Sequence, residues 1–160
     1  ATEPDSPPKF HLAMQALFSM DMGCAFSAEN LGDYCRSFPP GKRFYPFFEY
    51  LVTGVLDNKS HIDTVIESYS SNWKMRRMAC VDRNIMRIAV FELLYCADIP
   101  AKVSINEAID IGKRFGSPES GAFINGILDS VRLAIEQGKL KTTPTPLPFI
   151  DEEQAAINGD

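Results

Sequence analysis

The stretch NWKMRRMACVDRNIMRIAVFELLYCADIP, Asn72 to Pro100, reads from about Ala79 to Cys96 as a single helix. With Ile85 at zero on a helical wheel, Ile88, Ala89, Leu93 and Cys96 fall on one side. Met86, Val90 and Leu94 fall on the adjoining side, and Phe91 and Tyr95 cover much of the rest. A helix apolar nearly all the way round belongs in the interior of a protein. Its length just permits a membrane span. Asp82, Arg83, Arg87 and Glu92 within it argue instead for a water-soluble core, because charges are costly in lipid. Other helices must therefore pack around this one.

Working outward, the residues before it predict four helices. Pro8 suits a first helical position, and Phe10, Ala13, Met14, Leu17 and Phe18 form one apolar face up to Gly23. Ser27 is a candidate cap for a second helix carrying Leu31, Tyr34, Cys35 and Phe38. Pro39-Pro40-Gly41 breaks the chain. A third helix covers about Tyr45 to Leu56. Ser60 and Asp63 resemble a capping box opening a fourth, which carries Ile62, Val65, Ile66 and Tyr69. Ser70-Ser71-Asn72 is a turn, and Trp73 anchors the link that follows.

After the central helix, Ser104-Ile105-Asn106-Glu107 reads as a capping box for a sixth helix, which buries Ile105, Ala108, Ile109 and Phe115 and stops at Gly116. Ser117-Pro118-Glu119 opens a seventh, running to Gly138. The fold expected is all-α, about seven helices in two packed helical subdomains. The N-terminal half spans about 9–71 and the C-terminal half about 72–138. Residues 1–8 are expected to be disordered and 139–160 to form a mobile tail.

The four cysteines, Cys24, Cys35, Cys80 and Cys96, form no C-x-x-C pair and lie near apolar positions, so they read as reduced core residues of a cytoplasmic protein. With only His11 and His61, no metal is expected, and no cofactor. Nothing at the start resembles a secretory signal, and no membrane segment is expected. The net charge is −5, but residues 72–115 hold eight basic and five acidic side chains. A local basic surface on an acidic protein is thus permitted.

Three sets of polar residues invite a functional reading. Arg76, Arg83 and Arg87 fall within about 40° on one helical face if the helix extends that far; they bind phosphates or pair with neighbouring acids at a solvated edge. Glu92 points into the apolar face, so it is paired or protonated, either as a core tie or as a general acid or base. No nucleophile, histidine or second carboxylate is spaced to join it, and the structural role is the better reading. Lys113-Arg114-Phe115-Gly116-Ser117 places two cations beside a helix N-terminus with Phe115 and Phe123 flanking. Either this is an anion site with a stacking aromatic, or the cations cap the sixth helix and the rings are core.

The run VDRNIMRIAVFELLY, followed by DIPAKVSINEAIDIGKRFG and SGAFINGILD, resembles the NusB family of bacterial transcription antitermination factors. Trp73 and AMQALFSMDM in the first helix fit the same pattern, and the likeness extends from about Phe10 to about Val131. The same fold opens ribosomal RNA cytosine methyltransferases, and the chain's length leads to the expectation of a stand-alone factor. The resemblance implies a non-enzymatic role: binding boxA-type single-stranded RNA of ribosomal RNA leaders with the ribosomal protein NusE, in an RNA polymerase antitermination complex. It implies RNA contacts at Lys9, Lys113, Arg114, Ser120 and Phe123, with Arg76 and Arg77 adding phosphate contacts. It implies NusE contacts at Phe18, Met22, Asp82 and Met86. The family's arginine-rich lead into the first helix is here Ser6-Pro7-Pro8-Lys9-Phe10-His11, which predicts weak RNA binding without NusE.

A protein-only adaptor of the same fold is the alternative; salt bridges occupying Lys113 and Arg114 would favour it. The oligomeric state is open, since an apolar patch can also bury itself in a homodimer.

Overall fold

The computed structural model describes residues 8–41 and 45–145. Every regular element among them is helical: α1 (Pro8–Met22), α2 (Ala28–Ser37), α3 (Tyr45–Ser68), α4 (Cys80–Tyr95), α5 (Ala101–Phe115) and α6 (Ser120–Glu136), with a short 3-10 turn at Met75–Arg77 before α4. The expectations for residues 1–7 and beyond 145 lie outside the described residues.

α4 is the centre of the fold. It packs against α1 and α3 on one side and α5 and α6 on the other. Ile85, Met86, Ile88, Ala89 and Val90 are wholly buried along it. Each large aliphatic side chain buried this way contributes roughly 1.5–3 kcal/mol. Phe10 and Leu17 of α1, Phe48, Leu51, Ile62 and Ile66 of α3, Ile111 of α5 and Ile124 of α6 complete the core.

The long α3 replaces the two helices expected between Tyr45 and Tyr69. Ser60 does not cap a new helix, because its carbonyl accepts the Thr64 hydroxyl at 2.9 Å within a continuous one. Gly54 does not break the helix either. A Cβ there would overlap the Phe91 ring, so its bareness admits α4. The expected capping box at Ser104 fails for a related reason. α5 already begins at Ala101, one turn earlier, and Ser104 is buried inside the helix.

Ser27 does cap α2, its Oγ accepting from the Asn30 N–H at 3.0 Å. Phe38, however, lies past the end of α2 and is exposed. Cys24 is exposed as well, so only Cys96 of the four cysteines is truly buried. Gly116 ends α5 at an ordinary φ of −94°. What excludes a side chain there is space, since a Cβ would collide with the Ser120 Oγ. The segment expected to begin a mobile tail carries two backbone hydrogen bonds to α4, from Thr143 to Leu94 and from Thr145 to Tyr95, both 2.8 Å.

Candidate nucleic-acid and partner interface

The basic run around α4 divides into two groups. Arg83 and Arg87 point inward to carboxylates of other helices. Asp21, near the end of α1, accepts from Arg83 Nε and Nη2 at 2.6 Å each, from Asn84 Nδ2 at 2.8 Å and from Arg87 Nη1 at 3.0 Å. Asp63 of α3 accepts from Arg87 Nε at 2.8 Å and from Lys59 at 3.0 Å. Burial alone would raise the Asp21 pKa. Hydrogen bonds from Arg83 and Asn84 and the charges of both arginines outweigh it, to about 2. These arginines are therefore structural, Arg87 buried and Arg83 half-buried, rather than at a solvated edge. Arg76 lies in the 3-10 turn, outside α4, so the three do not form one continuous stripe.

Arg76, Arg77, Lys113 and Arg114 are exposed. None of them takes part in an ion pair among the described residues. Lys113 and Arg114 end α5, where the Lys113 stem lies against Gly121; a Cβ there would come within 3.2 Å of it. The junction that follows is a tight turn, with Ser120 Oγ accepting from the Ser117 N–H at 2.8 Å. Ser120, expected among the RNA contacts, is 1% exposed and its side chain is enclosed in this turn. Lys9 is half-buried, its ammonium 4.1 Å from the centre of the Phe47 ring.

Aromatic pairs tie these cations to the rest of the surface. Phe115, expected in the core, is exposed and stacks on His11 at 4.5 Å, joining the start of α1 to the end of α5. Burial and the nearby Arg114 cation hold the His11 pKa below its ordinary value. Phe123 is half-buried and meets Trp73 edge to face at 6.2 Å. Trp73 and Phe123 border a groove of about 560 Å³ between the 3-10 turn and α6, which Arg77 and Asp82 also line. The RNA set expected from sequence omits Trp73.

The partner set is divided too. Met22 is 65% exposed at the end of α1 and Phe18 half-buried one turn before it. Asp82 is 6% exposed, and Met86 is wholly buried among core residues. Met86 thus presents no surface to a partner, because the start of α4 turns it inward. Burial pushes the Asp82 carboxyl up, with Ser120 opposing.

A family model described as the NusB family matches residues 11–132. The chain belongs to the NusB family. It is 57% identical over 122 residues to the transcription antitermination protein NusB of Desulfatibacillum aliphaticivorans, covering 76% of this chain and 85% of that one. The NusB of Myxococcus xanthus is 43% identical over 129 residues, covering 78% and 92%. The solved structure of T. maritima NusB superposes with a TM-score of 0.73 at 32% identity, covering 88% of this chain and all of that one. A NusB-family fold also matches in a crystal structure of the antitermination factors NusB and NusE with double-stranded RNA. There the TM-score is 0.69 at 22% identity over 79% of this chain and 94% of the other, a likeness of fold alone. No helix among the described residues is long and apolar enough to cross a membrane.

Proposed function

We propose that this chain is an RNA-binding transcription antitermination factor that holds boxA-type single-stranded RNA together with ribosomal protein NusE, within an RNA polymerase antitermination complex. The NusB relatives carry the antitermination role in their names. A structure of the same fold contains both NusE and RNA. The observation that carries the RNA reading is the pair Lys113 and Arg114. They stand exposed at the α5–α6 junction with no carboxylate paired to them among the described residues. Salt bridges to these cations would have favoured the adaptor, and none is present among the described residues.

On this reading Lys113 and Arg114 hold phosphates, Phe123 offers a ring edge, and Lys9, Arg76 and Arg77 add charge. Phe18 and Met22 form the apolar contact for NusE. The chain is a binding factor of the cytoplasm rather than an enzyme. Because one lysine stands where an arginine-rich lead is usual in the family, affinity for RNA alone is weak and NusE supplies part of the charge. Filter binding of boxA RNA against a scrambled RNA, across salt, tests this. The expected result is selective binding that tightens with NusE. Submicromolar binding without NusE at physiological salt would overturn the division of charge, and no selective binding in either condition would leave the adaptor.

A further inference from the structure

We propose that the groove between the Met75–Arg77 turn and α6 receives one unpaired base of single-stranded RNA, stacked on Trp73. The proposal rests on the RNA-binding reading above and adds a base-holding element to it.

Trp73 is the chain's one tryptophan, and it is 54% exposed. Tryptophan is ordinarily highly buried, so an exposed one at the mouth of a groove is informative. Its ring does not hang free. The edge-to-face contact with Phe123, 6.2 Å between centres and inclined 61°, holds one part of the ring, while more than half of the residue stays open to solvent. A fixed aromatic face is a platform for any nucleobase.

The groove's walls complete the match. At about 560 Å³ it has room for a base and its sugar. Arg77 lines one side, with exposed Arg76 beside it, and offers charge to the adjoining phosphate. Asp82 also lines the groove, but its carboxylate is buried beneath the surface, so the base is held by stacking and by the neighbouring charge. Ser117 and Phe123 continue the groove to the α5–α6 junction, where Lys113 and Arg114 stand. One strand can therefore lie across both. Glu119 also borders the groove, so an RNA phosphate is favoured on the Arg77 side, away from its carboxylate.

The single tryptophan makes the test direct. Titrate the full chain, with NusE present, with a short boxA RNA, and follow tryptophan emission and filter retention on the same samples; a titration of NusE alone controls for its own signal. The expected result is quenching that follows the retention curve. Trp73→Ala, with folding checked by its thermal melt, should bind about fivefold to a hundredfold more weakly, with Trp73→Phe between the two, as removal of one stacked base implies. RNA retained with unchanged emission, and Trp73→Ala binding as tightly as the parent, would overturn the groove while leaving the RNA reading intact. No RNA retained under any condition would remove both. A change of emission with NusE and none with RNA would assign the groove to a protein and overturn the proposal.

Discussion

Two groups of arginines flank the start of α4 and look alike in the sequence. Arg83 and Arg87 are held by Asp21 and Asp63, which arrive from α1 and α3. Arg76 and Arg77, a few residues earlier, project from a 3-10 turn into solvent. The difference lies in the partners. A guanidinium near the core requires a carboxylate, because an unpaired buried charge is far costlier than a paired one. One at a surface turn requires nothing and stays available to phosphate. The first group fastens the end of α1 and the 3-10 turn to α4; Arg83 Nη1 also reaches the Met75 carbonyl at 3.3 Å. In doing so it positions the second.

The largest effect should come from breaking the inner group. Asp21→Ala leaves Arg83 without its carboxylate and Arg87 with only Asp63. Removing one partner of a buried pair costs about 3–5 kcal/mol, read by urea unfolding at neutral pH. A decrease below about 1 kcal/mol would show the network to be effectively solvated. Because the Asp21 pKa is depressed to about 2, its contribution is complete above the ordinary value of 3.8 and disappears as pH falls through 2. The parent should lose this stability in acid, and the variant should lack that component.

Glu92 sharpens the same contrast, being a buried acid without a cation in contact. It is 2% exposed, and its Oε1 has no partner among the described residues. Burial first, and then Glu107, push its pKa to about 8, with Lys9 opposing. The folded state therefore binds this proton more tightly than the unfolded chain. The contribution of Glu92 to stability is greatest below about 4.5 and falls as pH rises toward 8. Glu92→Gln should remove the slope and leave the protein more stable than the parent at pH 8, on the order of a few kcal/mol. Equal unfolding midpoints at pH 5 and pH 8 in the parent would refute the buried-acid account.

This division explains what could be read from the chain. The apolar faces of α1 and α4 and the cap at Ser27 are local patterns, and they were legible. The partners of Arg83 and Arg87 were not, because Asp21 lies about 60 residues away and no spacing rule links them. Gly54, Ser60 and Ser104 carry the residue types of helix ends, but each lies within a helix. There Gly54 makes room for Phe91, Ser60 accepts from Thr64, and Ser104 is enclosed. Local propensity yields to tertiary packing at such places. The sequence left Phe115 open between a surface ring and a core ring and gave no sign of the exposure of Trp73, because their partners, His11 and Phe123, come from distant helices.

The outer cations should behave in the opposite way. Lys113→Ala and Arg114→Ala remove exposed side chains, so stability should stay within about 0.5 kcal/mol of the parent. RNA affinity should fall for boxA and scrambled sequences alike. The slope of log affinity against log salt should lessen by about 0.7 for each phosphate of a single strand that is no longer neutralised. An unchanged slope would remove that residue from the RNA path. A large drop in stability would place it in the inner group.

Arg76→Ala should give the smallest change, and its comparison with Arg77→Ala is the finest test. Both residues are exposed in the same turn, but only Arg77 lines the groove beside Trp73. If charge alone matters, the two variants lower the salt slope equally. If the groove fixes the strand, Arg77→Ala weakens binding more, and the excess remains at high salt, where diffuse attraction is screened. The excess should also vanish in a Trp73→Ala background, since contacts to one ordered nucleotide are coupled rather than additive. Equal effects in both backgrounds would leave Arg77 as one of several loose cations.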